Sequence, residues 1–456
     1  MNNSLDGLTI LRSLRAFKSG GGIEQHIDNL DYVLLKRNRV KILKMYLETN
    51  SKNSKVSTRR IGKGFLTEIP INVKIPEIYS ASEQFKKPVL NYSIPYQIIK
   101  KFIAYDPYRK SNILTAKAMF WEYFVYNPVM LKYLFYKSLK KYYPRPGIYQ
   151  VIDIRKIIRK ILKNSTIDLL IMHHLGTTDS AEIIDEAQNA GVPFIYINHY
   201  SNALLTHFAI REQIANAAGI AGVCDWGLPK RLKKVFFNVS SGLDTTLFNP
   251  DNKNSQPKYK GIPIIFYPAR ITPNKGQLDL IKALKIICKM GLRAKIVFAG
   301  RVDSPDYEKA LIELVNKNNC SEDVLFLGQI NQEKMIEWYR ASSVIAFPTY
   351  HQEGLSRILM EAQAMKVPPV AYSIGGNPKA LINGETGFLV KTGDVKSFSQ
   401  KLFKLLSDDT TRRMMGEKGR RFVLNHFSNE AMAKRHEQLY INSIQKNQEK
   451  NPFQLS

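Results

Sequence analysis

The sequence predicts an α/β chain of two Rossmann-like, doubly wound domains facing a cleft. Three observations predict it. In the C-terminal half, short apolar runs alternate with helix-length stretches, which is the pattern of βαβ units and a parallel sheet. The N-terminal half repeats that pattern with more interruption. Between the halves, residues 249–261 (NPDNKNSQPKYKG) are polar, contain two prolines and carry no apolar periodicity, as a domain junction should.

In the C-terminal half the strands are expected at 263–267, 295–299, 324–327, 344–347, 369–372 and 387–390. Helices are expected at 277–290, 305–316, 332–341 and 355–364. The strand candidates are largely apolar throughout, as parallel strands covered on both faces must be. In the N-terminal half the strands read as 8–14, 40–47, 167–173, 193–198 and 219–223, and the helices as 23–36 and 180–190. Residues 80–150 break the alternation. Their Tyr, Phe and Lys content predicts a helical insertion over about 80–160. The expected organisation is an N-terminal acceptor-binding domain (1–250), a C-terminal domain (262–425) and a last helix (426–447) that packs back toward the N-terminal domain. Open α/β sheets bind ligands beyond the carboxyl ends of their strands, so the site is expected in the cleft.

The 456 residues carry 67 Lys and Arg against 39 Asp and Glu, a net charge of +28. Residues 1–150 alone hold 26 basic and 10 acidic side chains, so the excess concentrates there. Such a balance favours anionic partners: acidic small substrates, an anionic membrane surface or nucleic acid. The three cysteines, Cys224, Cys288 and Cys320, have neither paired nor metal-like spacing, which argues for a reducing compartment. The N-terminus shows no basic stretch followed by a long apolar one, and no run reaches the ~18 apolar residues of a spanning helix. The expectation is a cytoplasmic protein, soluble or peripheral on the inner face of the cell membrane.

The segment FPTYHQEGLSRILMEAQA holds the strongest chemical signal. Glu353 and Glu361 flank the start of a helix that begins just after an apolar strand. Gly354, Leu355 and Ser356 open that helix, and its free N–H groups form a ready phosphate site. Glu361, about two turns in, can reach a ribose diol, while Glu353 can bond sugar hydroxyls.

This segment resembles the Glu-x7-Glu motif of the family-4 retaining glycosyltransferases, which have the GT-B fold. Companions occur in the family's order. FYPARITPNKGQ resembles its strand–Gly-Arg–loop–Lys-Gly element, in which Arg270 and Lys275 would clamp the donor diphosphate; Ala269 stands in place of the usual glycine. VFAGRVDSP and VLFLGQI resemble the strand ends beside the nucleotide base, through Gly300, Arg301, Gly328, Gln329 and Ile330. NVSSGLDTTLFNP resembles the junction element, with Ser241 for the usual Asn; Asp244 there reads better as a structural cap than as a ligand. KSGGGIEQHIDNL resembles the first glycine loop, in which Gly20, Gly21 and Gly22 precede a helix facing donor or acceptor. His199 matches the strand-end histidine bordering the reacting sugar, a role for which His174 is a weaker candidate. The likeness covers about residues 8–48 and 165–425.

The resemblance implies transfer of a sugar, with retention, from a UDP- or GDP-type donor to a glycan or lipid-linked acceptor, as in bacterial envelope polysaccharide or lipopolysaccharide assembly. It implies catalytic roles for Arg270, Lys275, Glu353 and His199. No DxD-type carboxylate pair is apparent, so no metal, no cofactor and no specific nucleic acid are expected. Residues 119–145 interleave aromatics with Lys132, Lys137, Lys140, Lys141 and Arg145. They read either as a buried helical insertion with a solvated end or as an interfacial segment on an anionic leaflet. Two other classes stay open: a nucleotide-sugar epimerase or phosphorylase on the same fold, and a basic nonenzymatic protein that binds nucleic acid or membrane.

Overall fold

The computed structural model describes residues 4–17, 22–48, 56–74, 150–151, 154–173, 175, 178–199, 214–225, 228, 233–252, 261–318, 320–352 and 354–450. Of the insertion expected over about 80–160, residues 80–149, including 119–145, lie outside the described residues, as do Lys18 to Gly21, His174 and Glu353. Residue packing divides the chain into two units. One is Met1–Tyr46, Lys55–Ile69 and Arg155–Ser456; the other is Leu47–Ser54 and Pro70–Ile154. The parallel strands of both large sheets belong to the first.

The first half runs β1 (Thr9–Phe17), α1 (Gly22–Arg37), β2 (Lys41–Glu48), β3 (Ser57–Ile61), β4 (Gly64–Lys74), β5 (Gln150–Val151), α2 (Ile154–Asn164), β6 (Leu169–Met172), α3 (Thr178–Asn189), β7 (Phe194–Asn198), β8 (Gly219–Gly222) and β9 (Phe236–Asn238). Its sheet order is β3-β4-β2-β1-β6-β7-β8-β9, with β5 beside β4. From β1 through β9 along that order all pairings are parallel. The antiparallel hairpin of β3 and β4 departs from the sequence reading. Residues 57–60 are exposed on both faces, so the strand lacks the apolar run by which a covered strand is recognised.

The second half runs β10 (Ile264–Pro268), α4 (Gln277–Lys289), β11 (Lys295–Ala299), α5 (Pro305–Lys317), β12 (Val324–Phe326), α6 (Gln332–Ala341), β13 (Val344–Phe347), α7 (Arg357–Ala364), β14 (Pro369–Tyr372), α8 (Asn377–Ala380), β15 (Phe388–Val390), α9 (Val395–Ser407), α10 (Asp409–His426) and α11 (Asn429–Lys450). Six strands, ordered β12-β11-β10-β13-β14-β15, pair in parallel throughout. Every residue of β10, β13 and β14 is buried, because helices cover both faces. Local signals set the helix starts. Asn331, Asp394 and Asp408 accept the N–H groups of Lys334, Ser397 and Thr411 at 2.9, 3.0 and 2.9 Å. Pro305 opens α5 with Asp306 and Glu308 in its first turn.

The junction is held from the far end of the chain. The Arg420 guanidinium donates to the carbonyls of Phe248, Ala364 and Thr245 at 2.5, 2.6 and 3.2 Å. At Phe427 the chain leaves α10, exchanging backbone hydrogen bonds with Leu243 on both sides of the bend. α11 then buries Met432, Ala433, Leu439 and Tyr440 in the core of the first sheet. Each large apolar side chain so buried contributes about 2 kcal/mol. The last helix is therefore part of the N-terminal core, although it is the last element in the chain.

α10 approaches α7 closely at Gly416, where a Cβ would lie 2.2 Å from the carbonyl oxygen of Lys366. Gly416→Ala gains helix propensity of roughly 1 kcal/mol. Overpacking against a backbone atom costs about 1–3 kcal/mol, and no rotamer relieves it. The expected net effect is destabilisation, read by calorimetry as a lower melting temperature than the parent.

Candidate functional site

The carboxyl edge of the second sheet gathers most of the candidate residues. After β10 the chain makes a short 3₁₀ turn, Pro273–Lys275, and enters α4 through Gly276 at φ 71°. A Cβ on Gly276 would lie 2.0 Å from the carbonyl oxygen of Pro348, so only glycine fits there. The Asn274 carbonyl accepts Tyr350 N–H at 2.9 Å and the Thr349 hydroxyl at 3.3 Å. The Arg270 carbonyl accepts the Gln277 side-chain amide at 2.8 Å, and the Lys275 carbonyl accepts the Tyr267 hydroxyl. The two Asn274 bonds join the loop bearing Arg270 and Lys275 to the loop that leads to Gly354, and the other two brace the first loop against its own strand and helix. Beneath them the Asp279 carboxylate accepts Tyr350 and Tyr372 hydroxyls at 2.6 and 2.8 Å.

Arg270 is exposed and pairs with Asp303 at 2.6 Å; Arg301 Nε holds the other oxygen of the same carboxylate at 2.7 Å. The hydrogen bond from Arg301, with the charges of both guanidiniums, keeps Asp303 below the usual carboxylate range. Lys275, by contrast, is only 6% exposed, with its ammonium 6.0 Å from the centre of the Phe347 ring. The sequence reading treats Arg270 and Lys275 as an equivalent pair of arms. The fold gives one an open position and the other a buried one. Gly300 serves the backbone: a Cβ there would lie 2.3 Å from the Ala269 carbonyl oxygen. Gln329 is exposed, while Ile330 packs on the core.

The helix carrying Glu361 begins at Arg357, two residues later than the sequence suggests, with Leu355 and Ser356 before it. Ser356 is fully buried at the N-cap, and its hydroxyl makes no hydrogen bond to the protein. A buried polar atom without a partner at a helix N-terminus is the arrangement an anionic ligand completes. Gly354 is exposed, 3.5 Å in projected Cβ contact from Val223 of the first sheet. Glu361 lies in the second turn of α7. Tyr339 donates to one of its oxygens at 2.9 Å and Arg357 approaches the other at 3.4 Å. Burial raises the Glu361 pKa, and the partial offsets from Arg357 and Tyr339 do not cancel that rise.

From the first sheet, His199 follows β7 and stacks on His173, which follows β6, with ring centres 5.0 Å apart and Nδ1 of His173 2.8 Å from Nε2 of His199. Burial, with His26 and Arg12 adding, pushes the His199 pKa down to about 3. Gly22 begins α1. Asp244 caps its own turn, accepting Thr246 N–H, the Thr246 hydroxyl and Leu247 N–H at 3.0, 2.6 and 3.1 Å. A cavity of about 230 Å³ opens between the sheets, lined by Val223, Asn238, Ser240, Leu355, Lys379 and Arg435 among others. Lys379 bridges the sheets by pairing with Asp225 at 3.1 Å. A larger hollow of about 310 Å³ touches Pro193, Phe194 and Ala218 at the amino ends of β7 and β8, the edge opposite to where such sheets bind ligands.

The sequence reading missed Tyr339, Arg357, Asp303 and Asp279. Arg357 has a local signal, since it stands four residues before Glu361. Tyr339 and Asp279 have none, because their partners lie 22, 71 and 93 residues away. No group of three or more His, Cys, Asp or Glu with metal-binding geometry occurs among the described residues. None of their helices is long and apolar enough to cross a membrane.

Residues 248–422 match the family model of glycosyl transferases group 1. The chain is 32% identical over 216 residues to the capsular polysaccharide biosynthesis glycosyltransferase CapM of Staphylococcus aureus, covering 45% of this chain and 53% of that one. It is 33% identical over 213 residues to a GDP-mannose-dependent phosphatidylinositol monomannoside mannosyltransferase of Corynebacterium glutamicum, covering 44% and 54%. The chain thus spans about half the length of the curated relatives it matches. A glycosyltransferase structure from Rickettsia africae superposes with a TM-score of 0.60 at 16% identity, covering 96% of this chain and 98% of that one. Anabaena HepE in complex with UDP superposes with a TM-score of 0.60 at 13% identity, covering 94% and 98%. The fold is GT-B, with two Rossmann-like domains.

Glu361 yields a stability test. Its pKa in the folded protein is raised above the unfolded value of about 4.3, so its ionisation opposes folding at neutral pH. Glu361→Gln is expected to melt at a higher temperature than the parent at pH 7. The gap should narrow as pH falls through the raised pKa toward the unfolded one. A parent that is the more stable of the two at pH 7 would contradict the desolvation account.

Proposed function

We propose that the protein is a retaining glycosyltransferase. It moves a hexose from a nucleoside-diphosphate donor, of UDP or GDP type, to a glycan or lipid-linked acceptor in envelope polysaccharide or lipopolysaccharide assembly. The observation that carries this reading is the coincidence of the matched stretch with the built edge of the second sheet. Residues 248–422 supply Arg270, Lys275, the buried Ser356 hydroxyl at the start of α7, and Glu361. The names of CapM and the mannosyltransferase support hexose transfer in envelope glycan chemistry.

In this reading the diphosphate lies at the N-terminus of α7, where Ser356 Oγ and the first-turn N–H groups meet its oxygens. Arg270 leaves or shares Asp303 to reach the leaving phosphate, whose charge grows as the glycosidic bond breaks. Arg301 stays on Asp303 and keeps that carboxylate occupied. Glu361 holds the ribose, and Gln329 and Ile330 border the base. Glu353 meets the donor sugar. Retention follows a front-face course: the acceptor hydroxyl enters on the side from which the diphosphate departs, and a phosphate oxygen takes its proton. Guanidinium, ammonium and backbone donors carry the charge that a divalent ion would carry elsewhere, so activity should persist in excess EDTA. The basic N-terminal third seats the enzyme on an anionic membrane face, near a lipid-linked acceptor.

A panel of nucleotide sugars, scored by thermal shift and then by product formation, tests the reading. A true donor at a hundred times its Kd stabilises the folded state by about 2.7 kcal/mol, and the anomeric configuration of the product by NMR checks retention. Arg270→Ala is expected to lower kcat by roughly 10²–10³-fold while the melting temperature holds, since its side chain is exposed. A panel in which no nucleotide sugar shifts the melt or yields product would overturn the assignment.

A further inference from the structure

The carboxyl ends of β1, β6 and β7 enclose four histidines around a buried arginine. Arg12 is fully buried on β1 and pairs with Asp31 of α1 at 2.6 Å; Lys44 of β2 lies 3.9 Å from the other Asp31 oxygen. Arg12 Nη1 is 3.0 Å from His173 Nε2, and His173 Nδ1 is 2.8 Å from His199 Nε2. His26 of α1 stands edge-on to His199, with ring centres 5.7 Å apart, and 6.4 Å from His436 of α11. Tyr440, also on α11, lies between Arg12 and His436.

The donor inventory leaves one assignment. A guanidinium has five N–H groups and no acceptor, and it does not titrate in proteins. Arg12 therefore donates to His173 Nε2, which must be the bare nitrogen. The proton of neutral His173 then sits on Nδ1, where it donates to His199 Nε2. That nitrogen in turn must accept, so the proton of His199 is confined to Nδ1.

We infer that Arg12 and His173 are positioning residues that fix His199 as an Nδ1–H hydrogen-bond donor at the edge of the cleft and bar it from acting as a base through Nε2. This rests on the glycosyltransferase reading, in which His199 borders the reacting sugar. Its natural partner is an oxygen lone pair of the donor, on a sugar hydroxyl or a phosphate. Both rings stay neutral at physiological pH. Burial is the main cause, followed for His173 by the neighbouring His199 and Arg12, and for His199 by His26 and Arg12. His26 is likewise lowered, to about 4, by burial and then by Arg357 of α7 and Arg12. His436 is held well below its usual range by burial, His26 and Arg12. Arg12, Lys44 and Arg357 are the cations around the cluster; Asp31 faces Arg12 and Lys44, Asp28 pairs with Lys44, and Glu361 pairs with Arg357.

The test is the histidine tautomer, read by ¹⁵N NMR on the full chain labelled at histidine, with His199→Gln identifying the His199 signals. The parent is expected to show His199 protonated at Nδ1 and bare at Nε2. In His173→Phe, which packs but cannot donate, His199 should revert to the Nε2–H form usual for free imidazole. Turnover with the identified donor should fall about tenfold, the worth of one neutral hydrogen bond. His173→Leu, smaller and equally unable to donate, replaces the Phe variant if circular dichroism shows the latter unfolded; the same shift is expected. An Nε2–H tautomer in the parent overturns the inference, as does a tautomer that the folded variant leaves unchanged. A changed tautomer with unchanged turnover overturns the positioning role. Absence of any donor for the parent refutes the glycosyltransferase reading and leaves the tautomer result standing.

Discussion

The carbonyl of Pro348 occupies the space that any side chain at position 276 would need, and the rest of the candidate site depends on that contact. It brings the loop after β10 against the loop after β13. The Asn274 carbonyl then closes both Tyr350 N–H and the Thr349 hydroxyl. Asp279, buried under two tyrosine hydroxyls, keeps the assembly from shearing. Because both loops rise from strands buried on both faces, the positions of Arg270 and of the α7 N-terminus are set by the sheet rather than by the loops themselves. A site built this way has little to rearrange when charge develops on a ligand, which is the condition for strong electrostatic stabilisation.

Buried polar groups in the two halves are handled differently. In the second half Ser356 is left with an open hydroxyl and Glu361 with an elevated pKa, so that edge holds groups that a ligand would satisfy. In the first half Arg12 and Asp31 neutralise each other at full burial, and the surrounding histidines are neutral. Removing one partner of such a buried pair typically costs several kcal/mol, because the other charge is left alone. The arginine is thus committed to internal order, and the histidines it orients present hydrogen bonds rather than charge.

The last helix couples these two environments. α11 supplies Met432, Leu439 and Tyr440 to the first core, while α10, on the other side of the bend at Phe427, packs on α7. Arg420 ties the linker to the end of α7 through three carbonyls. The chain therefore crosses between the halves twice, once near Leu243 and once near Phe427, and the two crossings hydrogen-bond to each other. Paired crossings of this kind restrict the halves to motions about the crossing point.

The apolar runs alone dictate the parallel strands of both sheets. Uninterrupted apolar strands can be buried only between two helical layers, and that constraint is local enough to read from β10, β13 and β14. The sequence also placed Arg270, Gly354 and Ser356 at the carboxyl edge, because each lies in the segment that leaves such a strand, and Glu361 on the helix that this segment opens. It did not reveal the β3–β4 hairpin, whose first strand is polar on both faces. Nor did it separate Lys275 from Arg270. Their burial depends on Phe347 and Asp303, which are 72 and 33 residues away in the chain. The Tyr339 hydroxyl on Glu361, the two tyrosines on Asp279 and the ordering of His199 by Arg12 and His173 were decided by tertiary structure alone. Each pairs groups from separate strands or helices, and a hydrogen bond between distant residues leaves no periodicity in the sequence that makes it.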